Sequence, residues 1–155
     1  MKPARLLIVV ALFLSCAPTP SFHGVLVIKN SSDESVFIES NLHTYNNYYQ
    51  TSFVLPNGAM KEIACTKILE SEDAICIEAF ADNIDEGVLL VYSDEKKQKL
   101  LAKWSYNSPS IGNINFFDLR SYSRESAHDM RMNYTEYWYW FTLTKKDLNL
   151  QDVQN

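Results

Sequence analysis

The residue types that most often carry chemistry in proteins are sparse in this chain. Its three histidines, His23, His43 and His128, lie far apart, outside any H-x-x-x-H or H-x-E pattern that would place two metal ligands on one face. The sequence contains no G-x-S-x-G elbow for a nucleophilic serine, and its four glycines form no phosphate-binding loop. We therefore expect no enzymatic activity, no metal and no cofactor.

Carboxylates are plentiful, but they occur in clusters typical of turns. The main clusters are Glu70 to Asp73, Asp82 to Glu86, and Asp94 with Glu95. Paired acids can hydrolyse glycosidic bonds or bind calcium. None of these clusters has the spacing of an EF-hand loop, so we expect them to be solvated surface groups.

The run YWYWF, residues 137–141, is the most unusual stretch of the sequence. On a β-strand, alternate residues share a face, which puts Tyr137, Tyr139 and Phe141 on one side and Trp138 and Trp140 on the other. The first set is a natural core face. The two tryptophans could stack a glycan or a peptide, or they could be covered by the C-terminal helix or by residues 116–132. The sequence favours the covered arrangement.

A second candidate platform lies in the tyrosine-rich segment NLHTYNNYYQ. Tyrosine is common in protein interfaces as well as in cores, so this segment is compatible with a protein partner. Its candidate residues are Tyr45, Tyr48 and Tyr49.

The first residues of the chain are typical of an export signal. Lys2 and Arg5 precede a short apolar run, 6–14, that is well below the roughly 20 apolar residues that span a bilayer. Leu-Ser-Cys at its end resembles a bacterial lipobox, in which the cysteine, here Cys16, is acylated and becomes N-terminal. A competing cut after Ala17 would place proline first in the mature chain, which usually blocks cleavage. We predict a lipoprotein signal peptide over 1–15 and a membrane anchor on acylated Cys16.

The remaining cysteines, Cys65 and Cys76, form an even pair in a compartment where disulfides persist. The ten intervening residues resemble an exposed turn, so we expect a disulfide between them. Two buried free thiols are the alternative, because spacing alone cannot show that the two Cβ atoms face each other.

Charge and length indicate one acidic domain. The formal net charge is −5, and loss of Lys2 and Arg5 with the signal leaves 12 basic and 19 acidic residues, a charge of −7. Such a chain lacks the basic face that nucleic acid requires, so we expect no nucleic-acid partner. We predict a tether over 16–22 and a single β-rich domain over 23–155.

Short apolar runs separated by turn residues predict a mainly β fold. We expect hairpins around Asn30–Glu34, around Pro56-Asn57-Gly58 and around Asp94–Lys97, a weak helix near Glu125–Met130, and a short C-terminal helix that begins after Thr144. The absence of long helical stripes favours a single antiparallel β-sandwich, immunoglobulin-like or similar. The predicted strands are 23–29, 35–40, 51–55, 59–65, 74–80, 87–93, 98–104 and 134–143.

Several pieces of the chain together resemble the short envelope lipoproteins of Bacteroidales. They are the lipobox-like start, VLVIKNSSDESVFIES, LPNGAMKEI, NFFDLRSYS and the closing FTLTKKDLNL. The resemblance implies a lipid-anchored protein of the bacterial cell envelope, at the outer membrane or the periplasmic face, with a β-rich body and no known catalytic residue. Two functions follow as alternatives. The protein binds a glycan or a protein partner through an aromatic patch, or it is a structural or assembly lipoprotein whose aromatics are core and which has no small-molecule ligand.

Overall fold

A computed structural model describes residues 19–42, 50–108 and 114–148 of the protein. These residues form a β-sandwich with one short C-terminal helix, which confirms the mainly β fold predicted from the sequence. The elements are β1 (Ser21–Ser31), β2 (Val36–Ser40), β3 (Ser52–Leu55), β4 (Met60–Cys65), β5 (Val88–Tyr92), β6 (Leu100–Ser105), β7 (Ser123–Asp129), β8 (Tyr134–Thr144) and α1 (Lys145–Leu148).

The strands divide into two four-stranded sheets. The first sheet has the order β4-β1-β8-β7 and the second has the order β3-β2-β5-β6. All neighbours pair antiparallel except β1 and β8, the first and last strands of the chain, which run parallel over eleven residue pairs. This long central pair joins the two ends of the domain and positions the outward-facing side chains of β8 beside those of β1.

Two of the predicted hairpins are instead connections between the sheets. The turn at residues 30–34 leads from β1 to β2, and the Pro56-Asn57-Gly58 turn leads from β3 to β4, so in each case the chain changes sheets. Gly58 has the positive φ, 76°, that Asn-Gly turns favour. The turn at Asn57-Gly58 therefore forms as predicted. The predicted pairing of β1 with β2 and of β3 with β4 is wrong, because each pair is divided between the two sheets. The third prediction, the hairpin of β5 and β6 around residues 94–97, is confirmed.

Two further segments differ from their predicted structure. Residues 74–80 do not form a strand: they run from the end of one short 3-10 helix, Glu72–Ala74, through a second, Ile77–Phe80, and Ile75, Ile77 and Phe80 join the core. Residues 123–129 form the edge strand β7 rather than a helix, although every residue of β7 is exposed. Backbone pairing with β8, rather than an apolar face, holds β7 in place.

The core lies between the inner faces of the two sheets and is rich in aromatic rings. Phe141 of β8 meets Trp104 of β6 and Phe116 edge to face, both with ring centroids 5.3 Å apart. Phe80, from the second 3-10 helix, meets Tyr139 at 6.0 Å. Such geometries are the favourable ones for aromatic pairs.

The two ends of the domain are fixed by local contacts. β1 begins at Ser21, two residues before the predicted start of the domain at 23. At the other end, the Asp147 carboxylate accepts hydrogen bonds from the backbone N–H and the hydroxyl of Thr144, at 2.9 and 2.5 Å, which caps α1. The later part of the predicted C-terminal helix lies outside the described residues. No helix in the described ranges is long and apolar enough to cross a bilayer.

Candidate functional site: an open tryptophan groove

The aromatic strand has two different faces, as its alternation predicts. Tyr137, Tyr139, Phe141 and Leu143 are buried in the core, whereas Trp138 and Trp140 are only partly buried on the outer face of the first sheet. The strand alternates regularly because side chains of successive residues point to opposite sides of a sheet.

The outer face around the tryptophans is built from two rows of side chains that cross all four strands. Strand register places Glu62, Val27, Trp140 and Ser123 in one row, and Cys65, Val25, Trp138 and Glu125 in the next. Each row contains one side chain from each of the strands β4, β1, β8 and β7. The two indoles therefore lie at the middle of the sheet, where neighbours on both sides fix their positions.

The indoles rest on a small apolar cluster of their own. Val25, Val27 and Cys65 are at most 7% exposed and pack against Trp138 and Trp140, separately from the main core. The predicted cover over this face is not present in the described residues. Helix α1 packs against β8 and β6, where Leu148 joins the core, and β7 pairs beside β8 instead of folding over it.

Among the described residues this face leaves open a groove of about 740 Å³, which we call the tryptophan groove, lined by Val27, Met60, Lys61, Glu62, Glu125, Trp138 and Trp140. Glu62 and Glu125 are exposed on opposite sides of the indoles, one on β4 and one on β7. The ammonium of Lys61 is directed elsewhere, to the Gln50 side chain and to the ring of Phe53, 4.4 Å from its centroid. The groove is thus aromatic at its floor and acidic at its margins.

One donor in this groove has no partner. The Nε1 atom of Trp140 is buried, and among the described side chains it is a buried polar atom without a hydrogen bond. Leaving a buried N–H unpaired costs about 1–3 kcal/mol. A flexible neighbour, Met60, lines both this groove and a smaller adjoining cavity that Trp140 also borders. As placed, this N–H is not accessible to an acceptor in the groove.

The predicted disulfide is not formed, and both thiols are free. Cys65 is buried at the end of β4, in the outer-face cluster with Val25 and Val27. Cys76 is exposed just before the second 3-10 helix, where the neighbouring Glu78 carboxylate accepts a hydrogen bond from the Tyr106 hydroxyl at 2.6 Å. Residues 72–80 do not form a strand beside β4, so strand pairing does not bring Cys76 next to Cys65.

The other candidates within the described residues, His23 and His128, do not line the groove. Cys16, Tyr45, Tyr48, Tyr49 and His43 lie outside the described residues. His23 Nδ1 lies 3.2 Å from Glu136 Oε1. His128 Nδ1 lies 2.8 Å from the Thr135 hydroxyl. Within the described ranges, no three His, Cys, Asp or Glu side chains come together as a metal site would require.

Sequence reasoning identified the two indoles but missed the acidic residues beside them. Glu62 sits in MKEIAC and Glu125 in SRESAHD, more than sixty positions apart, and each resembles an ordinary solvated charge. Only the pairing of β4 with β1 and of β7 with β8 brings them to one groove. The sequence offers little to predict Glu125 as a groove residue, because residues 123–129 lack the apolar alternation of a strand. Only a strand assignment there would have placed Glu125 on one face of an edge strand.

Comparison with protein-family models, curated proteins and solved structures finds no match to this chain.

Proposed function

We propose that this protein is a non-catalytic lipoprotein of the bacterial cell envelope whose tryptophan groove binds an uncharged glycan chain. The observation that carries the proposal is the pair of half-buried indoles, Trp138 and Trp140, in an open groove between two exposed carboxylates. Aromatic floors with a few polar groups at the margin are typical of small-molecule and sugar sites.

The spacing of the indoles suits an extended oligosaccharide. Residues i and i+2 of a strand are about 6.6 Å apart, so two successive rings of a sugar chain can each lie over one indole. The apolar C–H face of a pyranose stacks on an aromatic ring, and the surrounding hydroxyls remain free for hydrogen bonds. Val25 and Val27 pack against the indoles, and packing that restrains a side chain before binding lowers the entropic cost of binding.

The charges at the margin select the class of sugar. Glu62 and Glu125 can accept hydrogen bonds from sugar hydroxyls, and charge-assisted bonds of this kind are roughly twice as strong as neutral ones. An anionic sugar would be repelled by these carboxylates and by a mature chain of net charge −7, counted from 12 basic and 19 acidic residues.

The envelope address is supported by the sequence. The apolar run 6–14 after Lys2 and Arg5, followed by Leu-Ser-Cys, is typical of a lipoprotein signal that ends in an acylated Cys16. The acyl chains would hold the protein on a bilayer without a transmembrane helix.

A specific observation also favours a strand-pairing partner, as a structural or assembly lipoprotein would need. β7 is an edge strand, exposed along its whole length, and a partner chain could extend the sheet there. Arg124, Glu125, His128 and Asp129 put charges on this strand, and charged edges oppose strand addition. The groove therefore supports the glycan proposal better than β7 supports this alternative.

Binding to a panel of immobilised neutral, amino and acidic oligosaccharides tests the glycan proposal. The Cys16→Ala chain should bind one or more neutral glycans, and Trp138→Ala or Trp140→Ala should weaken binding at least about tenfold, as loss of a central aromatic contact usually does. Phe37→Ala is the matched control, since Phe37 is a partly buried aromatic residue on the outer face of the second sheet. Its ring centroid lies 6.4 Å from that of Tyr92. Binding only to acidic sugars, or equal losses in all three variants, would contradict the proposal.

The anchor has its own test. Cys16→Ala should move the protein from the membrane fraction to the soluble fraction, and mass spectrometry of the wild-type N-terminal peptide should show acyl chains on Cys16. An unchanged distribution would exclude this lipid anchor.

A further inference from the structure

One end of the sandwich carries an exposed apolar cluster, which we call the apolar rim: Ile68, Met130 and Met132. These side chains are 69%, 86% and 69% exposed. Among the described residues, five large hydrophobic side chains are exposed, and three of them lie here, while the other two, Val54 and Met60, lie elsewhere on the sheets. The concentration at one end distinguishes the rim from scattered surface hydrophobics, which are ordinary.

The rim surrounds the point where the chain enters the domain. The Ser21 N–H donates to the Asn133 carbonyl oxygen at 3.0 Å, which fixes the start of β1 against the turn that carries Met130 and Met132. On the other side, Phe22 and Leu69 exchange two backbone hydrogen bonds, of 2.9 and 2.8 Å, which places Ile68 next to the same strand end. These hydrogen bonds therefore place all three rim residues near Ser21 in space, at the start of β1.

The short tether limits how far this end can lie from a membrane. Ser21 lies five positions after Cys16, with four residues between them, and an extended chain spans at most about 3.5 Å per residue, so their Cα atoms are at most about 17 Å apart. The headgroup layer itself takes up several ångströms of that distance, since the bilayer is about 40–45 Å thick and its hydrocarbon core about 30 Å. An anchor on Cys16 would therefore keep the rim close to the lipid surface.

Charge around the rim is nearly balanced. Lys67 and Arg131 are the cations next to it, and Glu70 and Asp129 are the anions. Asp129 also accepts hydrogen bonds from the backbone N–H groups of Arg131 and Met132, at 2.8 and 3.3 Å, and so shapes the turn. A balanced surface gains little from anionic lipid, whereas flexible methionine side chains can enter an irregular headgroup layer.

We infer that the apolar rim rests in the headgroup region of the membrane that holds acylated Cys16, with Met130, Met132 and Ile68 in contact with lipid. The inference rests on the lipid anchor of the proposed function. The domain then stands on the bilayer with β1 and β8 rising from it, so the tryptophan groove opens sideways along the sheet and stays accessible.

Oxidation of native methionines by hydrogen peroxide tests this inference without altering the domain. The acylated full-length protein is reconstituted on vesicles of phosphatidylethanolamine with a minority of phosphatidylglycerol, and the Cys16→Ala chain is kept in solution. Mass spectrometry follows sulfoxide formation at each methionine. Met60, which is 61% exposed on β4, is the internal control.

On vesicles, Met130 and Met132 should oxidise about fivefold more slowly than in the soluble chain, because lipid contact excludes the oxidant, while Met60 keeps its rate. The protection should persist at high salt, since the contact is apolar. Equal rates at Met130 and Met132 in both states, with Cys16 acylated, would overturn the rim inference alone. A wild-type Cys16 found without acyl chains would overturn the anchor and this inference with it.

Discussion

The side-chain amide of Asn30 donates a hydrogen bond to the Leu55 carbonyl oxygen at 2.8 Å, which links the end of β1 to the end of β3 across the two sheets. Asn30 is fully buried, and its amide also donates to the Glu34 carbonyl oxygen at 2.7 Å. Its side-chain oxygen accepts from the backbone N–H and the hydroxyl of Ser32. Its backbone N–H and carbonyl bond to Ala59 and Gly58. One residue thus organises two of the connections between the sheets, from β1 to β2 and from β3 to β4.

Replacing Asn30 with alanine should lower the free energy of unfolding by about 2–4 kcal/mol, because it leaves several buried polar groups unpaired. Denaturant unfolding monitored by tryptophan fluorescence measures the change. Asn41→Ala is the matched control: Asn41 also bridges two backbone groups, the Glu86 carbonyl and the Val88 N–H, but at the surface. Asn41→Ala should lower the free energy of unfolding by about 1 kcal/mol or less. Equal losses in the two variants would show that Asn30 has no special role.

The two free cysteines should react differently with iodoacetamide. Cys65 is 7% exposed and should be labelled only after unfolding, whereas Cys76 is exposed and should react in the native protein. Partial burial and the Glu78 carboxylate raise the pKa of the Cys76 thiol, so its labelling at neutral pH should be slow and should accelerate as pH rises. Failure of both cysteines to react in denaturant without reductant would show that they are paired after all.

Glu78→Gln provides the control for that pH dependence. Removing the carboxylate removes a cause that raises the pKa of Cys76, so the labelling rate at a given pH should increase. A rate that stays the same would show that Glu78 does not act on the thiol.

The Glu72 carboxylate should make stability depend on pH. It accepts hydrogen bonds from the Tyr137 hydroxyl at 2.7 Å and from Arg124 at 2.9 Å, and these partners lower the pKa of Glu72 below 4.5. A lowered folded-state pKa gives stability that is present above the unfolded value and is lost as pH falls through the folded value. Glu72→Gln should therefore be less stable than wild type at neutral pH, and the difference should shrink in acid.

Chemical denaturation at neutral pH and well below pH 4.5 compares these proteins. Glu70→Gln, which removes an exposed carboxylate from the same loop, serves as the control and should show little effect at either pH. A Glu72→Gln difference that is the same at both pH values would contradict an ionic contribution from Glu72.

The sequence predicts individual strands well where the alternation is strong. The period of two in residues 134–144 predicts both the strand and its core face, and the turn at 94–97 predicts the β5–β6 hairpin, because in these segments local pattern and tertiary structure agree. The two mispredicted hairpins have correct turns. A turn sequence fixes backbone angles, but whether the next strand pairs or crosses to the other sheet depends on contacts between segments distant in sequence, such as the hydrogen bond from Asn30 to Leu55.

The remaining errors also arise from long-range contacts. Residues 74–80 have strand-like composition, but Phe80 is needed to fill the core beside Gly24, where an added Cβ would lie only 2.8 Å from the Phe80 ring. Residues 123–129 have no strand pattern in their sequence, and they form a strand only because they pair with β8. For the same reason the two indoles of the groove could be predicted from one strand, whereas Glu62 and Glu125 could not.

The proposed glycan binding requires that Trp138 and Trp140 line an open groove. The decisive measurement is emission wavelength and acrylamide quenching of the Cys16→Ala, Trp104→Phe protein, in which only these two indoles fluoresce. Trp104 is buried, with its Nε1–H donated to the Ile114 carbonyl oxygen at 3.1 Å, so its removal isolates the groove signal. We expect red-shifted emission that acrylamide quenches readily and that a bound neutral glycan protects. Blue-shifted emission that acrylamide barely quenches would mean that the indoles are covered, and would contradict the groove as a binding site.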